Sequence, residues 1–145
     1  MSCALEVYLY IGITSCDYKV TYFLEKSNMY NEKYMRLAIK LAKKAYKKGE
    51  IPVGAVIVYK NKVISTAFNK KEKNNCALYH AEVIAIKKAC KMLKNWRLEN
   101  CDIYVTLEPC PMCAGAIINS RIKRVYIGCP DKNAGCTGSV YNLFE

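Results

Sequence analysis

Four short runs of β-branched and other apolar residues constrain the fold of this 145-residue chain more than any other feature of its sequence. They lie at Val53 to Val58, Val63 to Phe68, Cys101 to Leu107 and Arg124 to Gly128. Such runs are typical of strands, and the turn Lys60-Asn61-Lys62 between the first two predicts a hairpin. Because other strands are joined through helical segments, part of the sheet must be parallel. The predicted class is α/β, with a mixed central sheet between helices in three layers.

Helical patterns account for much of the remaining chain. Asn31 is a candidate N-cap for a helix with apolar residues at i, i+3, i+4 and i+7, lysines on its opposite face and Gly49 at its end. Residues Asn69 to Tyr79 are predicted to form a loop. Three further helical segments are predicted at about His80 to Leu93, at Pro109 to Ser120, and as a helix beginning within Ser139 to Phe144.

Length and composition are those of one globular domain, because 52% of the residues are apolar and 24% are charged. No apolar run approaches the roughly 18 residues of a membrane-spanning helix. The best candidate for a signal peptide, Val7 to Ile13, lacks a positively charged segment before it and a small-residue cleavage site after it. We therefore predict a cytoplasmic protein.

The first 28 residues differ from the rest in composition and charge. They are rich in tyrosine and carry two lysines against three carboxylates, which gives them a net charge of −1. Since the whole chain has a net charge of +11, the remaining residues carry +12. Either they add a strand or two, or the natural start is Met29, which is the interpretation we favour. We divide the chain into an N-terminal extension of uncertain status, residues 1–28, and a main domain, residues 29–145.

The positive charge of the main domain favours an anionic partner, and nucleic acid fits best. The alternative is a solvated basic surface without a partner. The lysine-rich helix from Lys33 to Lys48, together with Arg121, Lys123 and Arg124, is the candidate source of phosphate contacts.

The nine cysteines do not indicate a disulfide framework, because their number is odd and no export signal is visible. A Cys-x-x-Cys pair in this setting is more often a metal or redox site. The other cysteines are predicted to be small buried apolar residues. They are Cys3, Cys16, Cys76, Cys90, Cys101, Cys129 and Cys136.

Four residues form the candidate site: His80, Glu82, Cys110 and Cys113. The cysteines are three apart at the start of a predicted helix, so their sulfurs share a face and the helix N-terminus favours thiolates. His80 is the only histidine of the chain. Three nitrogen and sulfur ligands leave one position on zinc for water, which is the arrangement of a catalytic zinc site. A nearby unbound carboxylate can then transfer protons.

Two other interpretations of the cysteine pair are a thioredoxin-like redox site and a structural zinc site with Cys129 or Cys136 as fourth ligand. The order H-x-E followed by P-C-x-x-C, however, is the signature of zinc-dependent deaminases of nucleic-acid bases. Glu82 is the proton-transferring carboxylate in that pattern.

Among these deaminases, residues 30 to 143 resemble one family in particular, the bacterial tRNA-specific adenosine deaminases. The matching stretches are Ile51 to Val56, Asn69, His80-Ala81-Glu82, Thr106 to Ala116, Ser120-Arg121-Ile122 and Gly138-Ser139. The resemblance implies a cytidine-deaminase-like α/β/α fold, one Zn²⁺ per subunit, a homodimer, and conversion of the wobble adenosine of a tRNA anticodon to inosine. It also implies that Asn69 hydrogen-bonds the flipped base and that the Ala81 amide helps to position the attacking group.

The chain departs from the family pattern at two places. Cys76-Ala77-Leu78-Tyr79 replaces a common Asp-Pro-Thr-Ala beside the substrate, where Tyr79 is expected either to stack on a base or to pack on the core. The last strand and the long C-terminal helix of the family are not expected in this chain. Two rival functions therefore stay open: a zinc deaminase of a free base or nucleotide of guanine or cytosine type, and an inactive zinc-containing RNA-binding remnant.

Overall fold

A computed structural model describes residues 30–144 of the chain. The helices and strands in this range are α1 (Glu32–Tyr46), β1 (Gly54–Tyr59), β2 (Lys62–Phe68), α2 (Lys71–Asn74), α3 (Ala81–Leu93), β3 (Cys101–Val105), α4 (Pro111–Asn119) and β4 (Arg124–Ile127). The proposed extension, residues 1–28, lies outside the described residues. None of the helices described between residues 30 and 144 is both long and apolar enough to span a bilayer.

The four strands form one sheet in the order β2-β1-β3-β4. β1 pairs antiparallel with both β2 and β3, whereas β3 and β4 run parallel with Ile103 opposite Val125. The parallel pair is connected through α4, because two parallel strands cannot be joined by a tight turn. The predicted mixed sheet is therefore confirmed.

The hairpin between β1 and β2 forms at the predicted turn. Lys60 and Asn61 both have positive φ angles, 47° and 59°. Two consecutive positive φ angles are what a two-residue hairpin turn requires, and asparagine tolerates them well. The register of the pair shifts between Ile57 and Val58.

Helices cover both faces of the sheet, which gives the predicted three layers. On one face α1 packs its apolar side against Val56, Val58 and a set of tyrosine rings. On the other face lie residues of α3 and α4, among them Ala85 and Ile117, against Ile57 and Ile103 of the sheet. The α/β/α sandwich is the fold expected from the sequence.

The N-terminal end of α1 is capped as predicted, because Asn31 Oδ1 accepts a hydrogen bond from Lys33 N at 3.1 Å. At its other end Gly49 adopts a φ of +74°, a conformation that glycine adopts without strain. The helix crosses β1 so closely at Gly54 that a Cβ atom there would overlap the carbonyl of Ala38 and the backbone of Ala42.

The prediction of a helix beginning within Ser139 to Phe144 is wrong. The segment instead folds back on itself through a β-bridge between Thr137 and Asn142. Its backbone N–H groups bond to earlier residues, since Val140 and Tyr141 donate to Gly135 O and Leu143 donates to Cys136 O. The segment from Asn69 to Tyr79 is predicted to be a loop throughout, but it contains the short helix α2.

Candidate active site

His80, Cys110 and Cys113 lie together where the N-terminal ends of α3 and α4 meet. His80 Nδ1 lies 3.7 Å from Cys110 Sγ and 3.5 Å from Cys113 Sγ. The three potential ligand atoms all lie within 4.8 Å of one another, and in residues 30–144 no other group of three or more such side chains is found. The sequence therefore predicted correctly which residues meet.

The two helix starts explain why these residues meet. His80 and Cys110 are the N-cap residues of α3 and α4, and Cys113 lies in the first turn of α4 behind Pro111. A proline at the first helical position is compatible with a helix start because it lacks the N–H that would have no partner there. At such helix ends the first backbone N–H groups have no acceptor within their own helix, and those of Met112 and Cys113 in α4 bond to the Cys110 sulfur.

The two sulfurs differ in acidity. A hydrogen bond from Cys113 lowers the pKa of the Cys110 thiol to about 5, although burial opposes this, and the backbone N–H groups of Cys113 and Met112 and the nearby His80 lower it further. The same hydrogen bond and burial raise the pKa of Cys113. A pair of this kind holds one negative charge without a metal, and a bound cation would displace the remaining proton.

The carboxyl group of Glu82 lies in the first turn of α3 and is only 4% exposed. Burial raises its pKa to about 7; the negative charge of Cys110 adds to this, whereas hydrogen bonds from its own backbone N–H and from Cys113 oppose it. A carboxyl group with a pKa close to neutrality can both accept and donate a proton.

The other two predicted site residues lie beside this group without bonding to it. Asn69 is 3% exposed and follows β2, where its backbone N–H donates to Val53 O at 3.0 Å. Ala81 is completely buried as the first residue of α3, where a backbone N–H has no acceptor within its own helix. The bond from Lys70 N to Tyr79 O, 3.0 Å long, places Asn69 and His80 at the same end of the sheet.

Neither candidate fourth ligand belongs to the three-residue group. Cys129 and Cys136 are buried, and their sulfurs contact the carbonyl oxygens of Pro130 and Ala134 at 3.5 and 3.4 Å. Cys101 is buried as well, whereas Cys76 and Cys90 are partly exposed, so the prediction of buried cysteines is only partly correct. Cys3 and Cys16 lie outside the described residues.

The structure excludes one of the two interpretations of Tyr79 and argues against the predicted phosphate contact of Arg124. Tyr79 is 37% exposed and Leu78 is 59% exposed, so Tyr79 does not pack in the core. Arg124 forms a bidentate ion pair with Asp102, with N–O distances of 2.7 and 2.9 Å. Its side chain is therefore a poor candidate for a phosphate contact, in contrast to the exposed Arg121 and Lys123.

Sequence reasoning missed two buried glutamates near the site. Glu108 accepts hydrogen bonds from Thr137 N and Oγ1, from Asp131 N and from Ser139 N, and so holds the C-terminal loop beside Cys110. Glu50 accepts bonds from Asn69 and from the start of α2. In the sequence, Glu50 could have been noticed as an isolated acid between a lysine-rich helix and an apolar strand. Glu108 could have been noticed as an acid that follows an apolar run and directly precedes Pro109.

Known proteins resemble the chain in sequence. The profile of the cytidine and deoxycytidylate deaminase zinc-binding region matches residues 29–129. The tRNA-specific adenosine deaminase of Bacillus subtilis (strain 168) is 50% identical over 115 residues, which are 79% of this chain and 71% of that protein. The chain belongs to the tRNA-specific adenosine deaminase family. The resemblance drawn from the motifs is thereby confirmed, and zinc is the metal of the matched region.

Two solved structures have the same fold as this deaminase family member. One comes from a study of A-to-I editing by tRNA:A34 deaminases at the wobble position; it has a TM-score of 0.74 and 41% identity over 75% of this chain and 79% of the other. The second is guanine deaminase from Bacillus subtilis, with a TM-score of 0.68 and 40% identity over 70% of this chain and 66% of the other.

Proposed function

We propose that this chain deaminates adenosine hydrolytically to inosine at the wobble position of a tRNA anticodon. One observation carries the proposal: the grouping of His80, Cys110 and Cys113 with the buried Glu82. It occurs in a chain that is 50% identical to a tRNA-specific adenosine deaminase over most of its length.

The donor set fits a catalytic zinc ion. His80 Nδ1 is the ring nitrogen that faces both sulfurs, and one nitrogen with two thiolates is a known ligand set of catalytic zinc. We assign His80, Cys110 and Cys113 as the protein ligands. When bound, zinc would supply the activation of a water molecule as nucleophile at neutral pH.

Glu82 is the proposed general acid and base. Its carboxylate would take one proton from the attacking water and deliver it to N1 of adenine. It would then take the second proton, from the new hydroxyl group on C6, and deliver it to the departing amine, which leaves as ammonia. A pKa near 7 suits both directions, since neither form of the carboxyl group is strongly disfavoured at neutral pH.

Asn69 is the proposed group that holds the base, and the Ala81 amide is the proposed group that positions the attacking water. A base taken out of its stack into a pocket is recognised through hydrogen bonds to its edge, which a side-chain amide can both donate and accept. The N–H of Ala81, at the start of α3, would help to position the attacking group.

We further propose that residues 29–145 act as one deaminase domain and form a cytoplasmic homodimer. Exposed apolar side chains support self-association, among them Leu78 at 59% and Tyr141 at 56% exposure. Light scattering coupled to gel filtration should give twice the mass of one chain, and a monomer at micromolar concentration would contradict this part of the proposal.

The deciding experiment measures product on several substrates with one zinc-loaded preparation. Inosine should form in an anticodon stem-loop with adenosine at the wobble position, and little product should form from free guanine, cytosine or adenosine. Turnover of guanine alone would favour the alternative suggested by the similarity to guanine deaminase. Stoichiometric zinc without any product would favour the RNA-binding remnant.

A further inference from the structure

Glu50 is a buried carboxylate without a cationic partner among residues 30–144. It is 5% exposed and lies between the end of α1 and the start of β1. Within residues 30–144 the ion pairs are Arg36 with Glu32 and Arg124 with Asp102, so no lysine or arginine there compensates Glu50. Because burying a charge without compensation is costly, its hydrogen bonds must supply the compensation.

Three N–H donors converge on this carboxylate. Oε1 accepts from Lys73 N at 2.8 Å, and Oε2 accepts from Glu72 N at 3.1 Å and from Asn69 Nδ2 at 3.3 Å. Two of the donors are backbone groups of the short helix α2, which has no side-chain cap of its own. The third is the side chain proposed to bind the base.

The bond fixes which way the Asn69 amide faces. A carboxylate only accepts hydrogen bonds, so the atom of Asn69 that contacts Glu50 must be Nδ2. No donor in residues 30–144 bonds to Asn69 Oδ1. This oxygen is not completely buried either, because it is not among the described side-chain atoms that lack both solvent contact and a hydrogen-bond partner. Oδ1 and the second hydrogen of Nδ2 are thus left for a ligand.

Glu50 also holds the segment that leads from Asn69 to His80. This segment begins at Lys70, whose N–H donates to Tyr79 O, and it includes α2, whose first N–H groups donate to Glu50. One carboxylate therefore contacts both the base-binding amide and the loop that ends at the first metal-ligand candidate.

We propose that Glu50 is a positioning residue that orients the Asn69 amide toward the edge of the purine. In this orientation Oδ1 accepts a hydrogen bond from the base, and the second hydrogen of Nδ2 donates one to it. The inference rests on the proposed function, because Asn69 is assigned to the base there. An amide held in this orientation presents one acceptor and one donor side by side, which is the pattern that matches adenine at N6 and N7.

Glu50→Gln tests the proposal with almost no change of shape. A glutamine offers one oxygen and one NH₂ group where three donors converge, so either Lys73 N loses its partner or the Asn69 amide turns over. We expect kcat/KM for the stem-loop to fall about 10- to 100-fold with zinc content unchanged. The matched control is Glu99→Gln, which makes the same charge change at an exposed residue with no described side-chain bond and should have wild-type kinetics.

A double-mutant cycle separates positioning from a general structural role. If Glu50 acts through Asn69, adding Glu50→Gln to Asn69→Ala should change kcat/KM by less than about twofold. An unchanged rate in the single variant, or an equal loss in both backgrounds, would overturn the proposal.

NMR of the Asn69 side chain gives an answer that does not depend on activity. In the wild-type protein its Nδ2 protons should exchange far more slowly than those of the exposed Asn75, and Glu50→Gln should remove much of this protection. Unprotected Asn69 protons in the wild-type protein overturn the proposal even if the variant does not fold. If the wild-type protein forms no inosine, the proposed function fails, and the exchange rates still decide whether Glu50 orients the amide.

Discussion

Two buried glutamates of the site region have pKa values that move in opposite directions. Burial raises the pKa of Glu82 to about 7, because few donors stabilise its charge. Burial would also raise the pKa of Glu108, but hydrogen bonds from Ser139, Asp131 and Thr137 outweigh it and lower the pKa. The number of N–H and O–H donors thus decides which carboxyl can transfer protons and which stays charged.

Replacing Glu82 should separate metal binding from turnover. In Glu82→Gln the three ligand candidates are intact, so zinc should stay bound, whereas deamination should slow by about 10²- to 10⁴-fold because the proton-transfer group is lost. Zinc content by elemental analysis and inosine formation would be measured on the same sample, with Glu72→Gln as the exposed control. Turnover at the wild-type rate would exclude the proposed role.

Replacing Cys110 should remove the metal. Cys110→Ser leaves a weaker ligand in place of the sulfur with the lowered pKa, so zinc content and activity should fall together. Cys76→Ser, outside the three-residue group, should retain both. Full zinc occupancy in Cys110→Ser would show that this sulfur is not a ligand.

Replacing Glu108 should destabilise the protein in a pH-dependent way. Because its folded-state pKa is lowered, its contribution is present above the ordinary carboxyl value of about 4.3 and is lost as the pH falls through the lower folded-state pKa. Glu108→Gln should therefore lower the free energy of unfolding by about 1–3 kcal/mol at pH 7 and by much less in acid. Denaturant unfolding of both proteins without zinc, at pH 7 and at a series of values down to about pH 2, should show the difference shrinking as the pH falls. An equal difference at all pH values would count against this account.

At the scale of elements, the sequence predicted the parts that are determined by local chemistry. Asn31 caps α1, the turn at Lys60-Asn61 joins β1 to β2, and the motif cysteines lie at the start of α4. The same reasoning failed from Ser139 onward, where the backbone is held by Glu108 and by the Gly135 carbonyl rather than by a helix. The bond from Ser139 to Glu108 joins residues 31 apart in sequence, and no local pattern reveals it.

The site was predictable to a similar extent. The motif gave His80, Glu82, Cys110 and Cys113, and the structure brings the ligand candidates together. Their roles remain predictions. Glu50 could not be recognised as part of the site, because its relation to Asn69 depends on how α2 packs against the end of α1.

The close crossing of α1 and β1 gives a prediction about Gly54. In Gly54→Ala the new Cβ would overlap backbone atoms of Ala38 and Ala42, which cannot move without displacing α1, so the loss of stability should exceed about 3 kcal/mol. Gly115→Ala in α4 is the matched control, because a Cβ there meets nothing within 4 Å and alanine favours a helix by about 0.5–1 kcal/mol. Thermal unfolding would compare them, and equal stabilities would contradict the packing described for Gly54.

At the scale of the whole molecule, the net charge of +11 should make RNA binding strongly dependent on salt. If exposed lysines at the end of α1 contact phosphates, Lys47→Ala combined with Lys48→Ala should reduce the slope of log K against log salt by about 1.4 to 1.8, which is about 0.7 to 0.9 for each lost contact. Lys87→Ala with Lys91→Ala, on the exposed side of α3, is the control. Filter binding of the stem-loop at several salt concentrations would measure both, and equal slopes for the two double variants would show that the α1 lysines serve solubility only.

A metal ion bound where two helices begin would also restrict the unfolded chain, because its ligands lie far apart in sequence. His80 and Cys110 are 30 residues apart in sequence, and the intervening segment contains α3 and β3. An ion bound to both would close this segment into a ring, as a disulfide does, and restrict the unfolded chain; closing a ring of this size is worth roughly 3–4 kcal/mol in the chain-entropy picture. Removal of the ion by a chelator should therefore lower the free energy of unfolding as well as abolish turnover.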